Sequence, residues 1–194
     1  GQFSARPYVG SETPMVAYAN THAQLEARRD DAIVNSMNGP RVLIVGPTDS
    51  GKSTLARILL SYALRVGRTP LFADIDVGQG GIAIPGAVAC VALDNTSMDL
   101  ENDGIGGAPI AFYYAHNNLD SNVEYYNFLV QRLANAIDQR CLSDVDARSA
   151  GLIVNTCGWV DGKGLVALKE AARALRIDVI LVLGEDRLYE NLRT

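Results

Sequence analysis

One stretch constrains this chain more than any other. Residues 46–53 read GPTDSGKS, directly after the apolar run RVLIV and directly before a segment with helical spacing. The pattern G-x-x-x-x-G-K-S, set between a strand and a helix, predicts a loop whose backbone wraps an anion. Gly46 and Gly51 permit backbone angles that side chains resist, so successive N–H groups can turn inward. The first N–H groups of the following helix lack intrahelical acceptors and carry the positive end of its dipole. Lys52 adds an ammonium for the outer phosphates of a nucleoside triphosphate. Ser53 offers a hydroxyl to Mg²⁺, which prefers hard oxygen ligands. Thr48, Asp49, Ser50 and Thr54 complete the candidate phosphate-binding set.

The flanking segments alternate between two periods. A helix is expected over 15–33, opened by Thr13 and Pro14, with Met15, Tyr18, His22 and Leu25 on one face. Strands are expected over 41–45, 71–75, 87–93, 110–114, 152–155 and 179–183. Helices are expected over 52–66, 123–139, 164–175 and from 185 onward, the second with Tyr126, Leu129, Leu133 and Ile137 in one stripe. Residues 94–107 are acidic, glycine-rich and without period, and read as an exposed loop. Strands that are apolar throughout, alternating with helices, predict an α/β domain of the P-loop NTPase class. Its sheet should be mostly parallel and covered by helices on both faces. The expected division is a segment with a lead-in helix over 1–40 and the nucleotide-binding domain over 41–194.

Two further motifs follow strands, and in an open parallel sheet the strand C-termini face the ligand crevice. The first is DIDVGQG at 74–80. Asp74 and Asp76, two residues apart, leave the strand on one side. One can hold Mg²⁺ through water while the other acts as base, or a carboxylate can simply cap the turn. The second is NTCGW at 155–159. Many phosphate-loop proteins carry a metal-binding aspartate at such a position; Asn155 is neutral, which moves that role to Asp74 or Asp76. Trp159, the sole tryptophan, is either partly buried core or a platform for a base. No N/T-K-x-D segment is present to read guanine, and GEDR at 184–187 follows the last strand instead.

Composition narrows the partners. The net charge of −5 argues against a domain that coats long nucleic acid, though not against a small basic groove. The three cysteines, Cys90, Cys141 and Cys157, are far apart and match no zinc spacing, so they are expected to be reduced structural thiols. No apolar run approaches the roughly 20 residues of a membrane helix, and the N-terminus GQFSARPYVG has no apolar signal core, so neither membrane nor secretion is expected.

GPTDSGKST, DVGQGGIAIPG and NTCGW, in this order and spacing, resemble the polynucleotide 5′-hydroxyl kinase family of eukaryotic RNA processing. They look closest to the branch that forms the ATP-binding subunit of the pre-mRNA cleavage and polyadenylation factor. ETPMVAYANTHAQLEARR before the domain, DQRC at 138–141 and RLYE at 187–190 agree with it. The resemblance implies ATP with Mg²⁺ as cofactor and an RNA 5′-hydroxyl as acceptor. It also implies other cleavage and polyadenylation subunits as partners and a nuclear location. It assigns Lys52 and Ser53 to ATP and the metal, and Asp76 to the metal and to catalysis beside Lys52. Gln79 falls near the γ-phosphate and Trp159 at the terminal base. Members clasp the acceptor with Thr-Thr-Pro after the strand that corresponds to 110–114. This chain has HNNLD at 116–120, making Asn117 and Asn118 the substrate-side candidates and RNA clamping weak. The family's arginine-bearing lid would fall after Thr194, and its small β domain and C-terminal domain would flank this segment. The expected role is therefore an ATP-locked scaffold, with an active RNA 5′-hydroxyl kinase as the alternative.

Overall fold

The computed structural model describes residues 13–94 and 107–193, so the loop expected over 94–107 lies almost wholly outside the described residues. The chain runs α1 (Met15–Val34), β1 (Arg41–Val45), α2 (Lys52–Arg65), β2 (Leu71–Asp74), β3 (Ala87–Ala92) and β4 (Ile110–Tyr113). It continues through a 3-10 turn (Leu119–Ser121), α3 (Val123–Ser143), α4 (Val145–Ala150), β5 (Leu152–Asn155), α5 (Gly162–Ala174), β6 (Val179–Val182) and α6 (Asp186–Arg193). The six strands form one sheet in the order β4-β3-β2-β5-β1-β6.

The sheet is parallel across β2, β5, β1 and β6. Its other edge differs: β3 runs antiparallel to β2, and β4 antiparallel to β3. Strand β3 is buried over most of its length, which gives it the continuous apolar character of a parallel strand and hides its direction.

Two cores cover the two faces. Leu43, Leu71, Val88 and Val154 meet α3 and α5 through Tyr126, Leu133, Ile137 and Leu168. On the opposite face Val42, Ile44, Phe72 and Ile153 meet α2 through Leu55, Leu59 and Leu60, and α1 through Leu25. Each such fully buried aliphatic side chain stabilises the fold by about 1.5–3 kcal/mol. The stripe expected on α3 is buried as drawn. That on α1 faces the core from Leu25 onward and continues through Arg29 and Ala32; Tyr18 and His22 are half-buried, and Met15, at the helix start, is exposed.

Arg29 is 1 % exposed. Its Nε donates to the Ala150 carbonyl at 2.8 Å, and Glu26 pairs with both Arg29 and Arg68, which ties α1 to α4 and to the turn after α2. Helix α4 was not expected. Asp144 caps it by accepting from the Ala147 N–H at 2.9 Å, and Gly151 at φ +81 follows its last residue. Six residues are too few to display a helical period. Among the described residues no helix is long and apolar enough to cross a membrane.

Candidate nucleotide site

Strands β1, β2 and β5 end side by side. In register Asp74 lies opposite Asn155 on β5, and Asn155 lies opposite Ile44 on β1. Residue 46 therefore leaves the sheet beside the two polar ends of its neighbours. Thr156 fixes this junction by donating its hydroxyl to the Ile44 carbonyl at 2.8 Å.

The 46–53 loop joins β1 to α2 as expected. Gly51 precedes the helix at φ +91, where a side chain would strain the backbone, and Asp49 also takes a positive φ of 61. No side chain caps α2. Its leading N–H groups are left for a ligand, and the partial positive charge of the helix end favours an anion. Gly46 stands behind the loop, where a Cβ would lie 2.6 Å from the Leu183 carbonyl oxygen. Ser50 is also behind it, its hydroxyl buried without a hydrogen-bond partner.

A cleft of about 410 Å³ opens over this loop. Thr48, Asp49, Gly51, Lys52, Ser53 and Thr54 form one wall. Asp76, Gly78 and Gln79 from the turn after β2, and Gly158 from the loop after β5, line the cleft as well. Lys52 is 7 % exposed and donates its ammonium to the Pro47 carbonyl of its own loop at 2.7 Å. Burial lowers its pKa, and the nearby carboxylate of Asp76 opposes that shift most strongly. The donor set suits a polyphosphate: an uncapped helix end, a buried ammonium and a carboxylate in the same cleft for the counter-cation.

The two carboxylates of DIDVGQG separate in role. Asp74 is buried and fully engaged: Oδ1 accepts from the Asp76 N–H at 3.0 Å and from Asn155 Nδ2 at 3.2 Å, and Oδ2 accepts from the Gly81 N–H at 2.7 Å. Burial pushes its pKa up to about 6, against the lowering effect of those N–H bonds. Asp76 is half-buried; its Oδ1 accepts from the Gly78 and Gln79 N–H groups at 2.9 and 3.2 Å, and it faces the cleft. Capping and cleft-lining thus coexist, and Asp76 is the carboxylate that reaches the ligand side. Ser53 Oγ donates to Asn155 Oδ1 at 3.5 Å, so a polar chain runs Asp74–Asn155–Ser53 from β2 to α2.

The substrate-side candidates lie apart from the cleft wall. The Asn117 carbonyl approaches Gly78, 3.2 Å from where a Cβ would stand, which sets this loop against the turn that holds Asp76. Asn118 spends its side chain on local structure, accepting from the Asp120 N–H at 3.1 Å to cap the 3-10 turn. Trp159 is half-buried and packs on Gly164, where a Cβ would stand 2.6 Å from its ring. Gly158 carries a signal that the motif alone did not expose: a Cβ there would meet the Thr48 nitrogen at 2.5 Å. Only the folded loop-to-loop contact reveals that requirement.

A family model described as mRNA cleavage and polyadenylation factor CLP1 P-loop matches residues 46–194. The chain belongs to the CLP1 P-loop family. It is 45 % identical over 191 residues to the "Protein CLP1 homolog" of Brugia malayi, covering 96 % of this chain and 44 % of that protein. It is 43 % and 42 % identical over 186 residues to proteins of Gallus gallus and Homo sapiens named "Polyribonucleotide 5'-hydroxyl-kinase Clp1", again covering 96 % of this chain and 44 % of each. The chain thus spans less than half the length of these curated relatives. Its fold matches Clp1p in a wild-type Clp1p–Pcf11p complex with a TM-score of 0.77 at 27 % identity, over 92 % of this chain and 44 % of that one. A second structure, described by an extended Pcf11p–Clp1p interface and by ATP loss in a point mutant, matches with a TM-score of 0.78 at 25 % identity, over 92 % and 45 % of the two chains.

Proposed function

We propose that this chain is the ATP-holding domain of a nuclear cleavage and polyadenylation factor subunit of the Clp1 type, and that it acts chiefly as a nucleotide-locked scaffold. The N–H groups at 48–53 would hold the phosphates, with Lys52 at the outer ones and Gln79 beside the last. Ser53 and Asp76 would hold Mg²⁺. Bound Mg²⁺-ATP supplies an activated γ-phosphoryl group and neutralises its charge. Among the described residues no cluster of three or more His, Cys, Asp or Glu is present, so the cation would depend on the phosphates for much of its shell, as Mg²⁺ commonly does.

The observation that carries the scaffold reading is the contrast between the two sides of the cleft. The phosphate side is complete. On the acceptor side Asn118 is committed to capping a turn, and no hydroxyl pair or proline clasps a strand at 116–118. Phosphoryl transfer depends on in-line positioning, so a loose acceptor lowers the rate steeply. A full-length parent should bind a Pcf11-type subunit more tightly with Mg²⁺-ATP than without it. Lys52→Ala should abolish that gain and Asp76→Asn should preserve most of it. Equal binding with and without nucleotide would defeat the scaffold reading.

A kinase reading is favoured by one feature, the placement of Asp76 in the same cleft as Lys52. There Asp76 would accept the proton of an RNA 5′-hydroxyl, and Trp159 would position its base.

A further inference from the structure

A second cavity, of about 510 Å³, lies at the opposite end of β1 from the nucleotide cleft. Arg41 opens β1 at its floor. Arg148 enters from α4, and Arg176 from the turn between α5 and β6. Among the described residues Asp138 of α3 is the one carboxylate on its wall, and it is shared: Oδ1 pairs with Arg41 at 2.7 Å and Oδ2 with Arg176 at 3.4 Å. Three guanidinium groups therefore converge against one carboxylate, in a chain whose net charge is −5.

The three are not equivalent. Arg41 is buried with both terminal nitrogens engaged, the second donating to the Leu175 carbonyl at 2.9 Å. Arg176 is 71 % exposed at its side chain and sits at φ +52, a left-handed position that arginine takes only at a cost. Arg148 holds its Nε buried without any hydrogen-bond partner. An unmet donor on a charged group is unfavourable until something accepts from it. The nearest carboxylate in sequence on its N-terminal side that caps α4, Asp144, is engaged by Arg140 at 2.8 Å. Leu142 borders the cavity and is 73 % exposed, with Val145 beyond it at 59 %.

We propose that this cavity is a docking site for an acidic peptide segment of a protein partner. A carboxylate of the segment would accept from Arg176 and from the terminal nitrogens of Arg148, whose Nε is covered, and a neighbouring apolar side chain would cover Leu142. Guanidinium forks match carboxylates in this way, and arginine beside exposed aliphatic surface is typical of interface centres. A nucleic-acid strand fits less well: among the described residues the wall offers no aromatic ring for base stacking. The site goes beyond the nucleotide reading, because no residue of the cleft takes part in it.

The test follows the arginine Nε–Hε signals of the full chain by NMR during titration with a short synthetic peptide of alternating glutamate and leucine. A parallel titration uses an oligouridylate of matched length. The Arg148 and Arg176 signals should shift together and saturate with the peptide. Arg176→Gly removes one fork while suiting the backbone at that position, so it should stay folded and weaken the peptide by about tenfold, the loss of one charge-assisted hydrogen bond. Leu142→Ser should weaken it as well. No shift with the peptide, shifts with the oligouridylate alone, or unchanged affinity in Arg176→Gly would each overturn the proposal.

Discussion

Gly158→Ala offers a sharp test of how the phosphate loop is held. The added Cβ would stand 2.5 Å from the Thr48 nitrogen and 2.7 Å from its Cα, against ordinary contact from 3.4 Å upward. The Thr48 hydroxyl is closer still and can swing aside, but these two atoms are backbone and cannot, so the loop must retreat by roughly 1 Å. The local overpacking should cost about 1–3 kcal/mol of stability. The larger effect falls on the ligand, because Thr48 opens the run of N–H groups aimed at the phosphates. A hydrogen bond to a charged group contributes about 1.5–3 kcal/mol, so losing one weakens ATP about tenfold or more, and losing two about a hundredfold or more. Gly67→Ala is the matched control: its φ of +83 is strained for alanine, but nothing stands within 4 Å of the new Cβ. It should lower stability by about 1 kcal/mol and leave ATP affinity unchanged. Isothermal calorimetry with Mg²⁺-ATP, beside urea unfolding of each variant, separates the two effects. Gly158→Ala binding ATP within about twofold of the unaltered chain would show that this contact does not set the loop.

Three other outcomes are expected. Lys52→Ala should weaken ATP by about a hundredfold in calorimetry while leaving the fold intact by circular dichroism, since it removes the buried ammonium. Asp74 should make the nucleotide-free protein less stable as pH rises. Its pKa goes from 3.8 to about 6 on folding, so the folded state holds more protons between those values and stability falls across that window. Relative to Asp74→Asn, the unaltered chain should lose about 2 kcal/mol in urea unfolding between pH 4 and pH 7. Arg29→Ala should cost about 1–3 kcal/mol in the same assay, because it leaves the Ala150 carbonyl without its buried donor while Glu26 keeps Arg68.

The sheet and the phosphate loop were legible because their signals are local. An apolar pentapeptide, a glycine turn and a helix start are contiguous, and their geometry follows from backbone preferences. The tertiary requirements were not. The antiparallel edge is invisible in β3 because burial on both faces, and not strand direction, sets its composition. Arg29 reads as a surface residue, and only the carbonyl of Ala150, far along the chain, explains its burial. The capacity of Asp76 to face the cleft and of Asp74 to sit beneath it could not be separated from spacing alone, since both leave one strand end two residues apart. The difference comes from Asn155 and Gly81, which close over Asp74 from other elements.

The fate of the γ-phosphate separates a nucleotide-locked scaffold from a kinase. The decisive measurement incubates the full-length parent with γ-labelled Mg²⁺-ATP and 5′-hydroxyl RNA, and follows protein-retained nucleotide and labelled RNA together. The expected result is retained nucleotide, lost in Lys52→Ala, with RNA labelling no higher than in Asp76→Ala. Robust RNA labelling that disappears in Asp76→Ala would contradict the scaffold account and make the chain part of a working kinase.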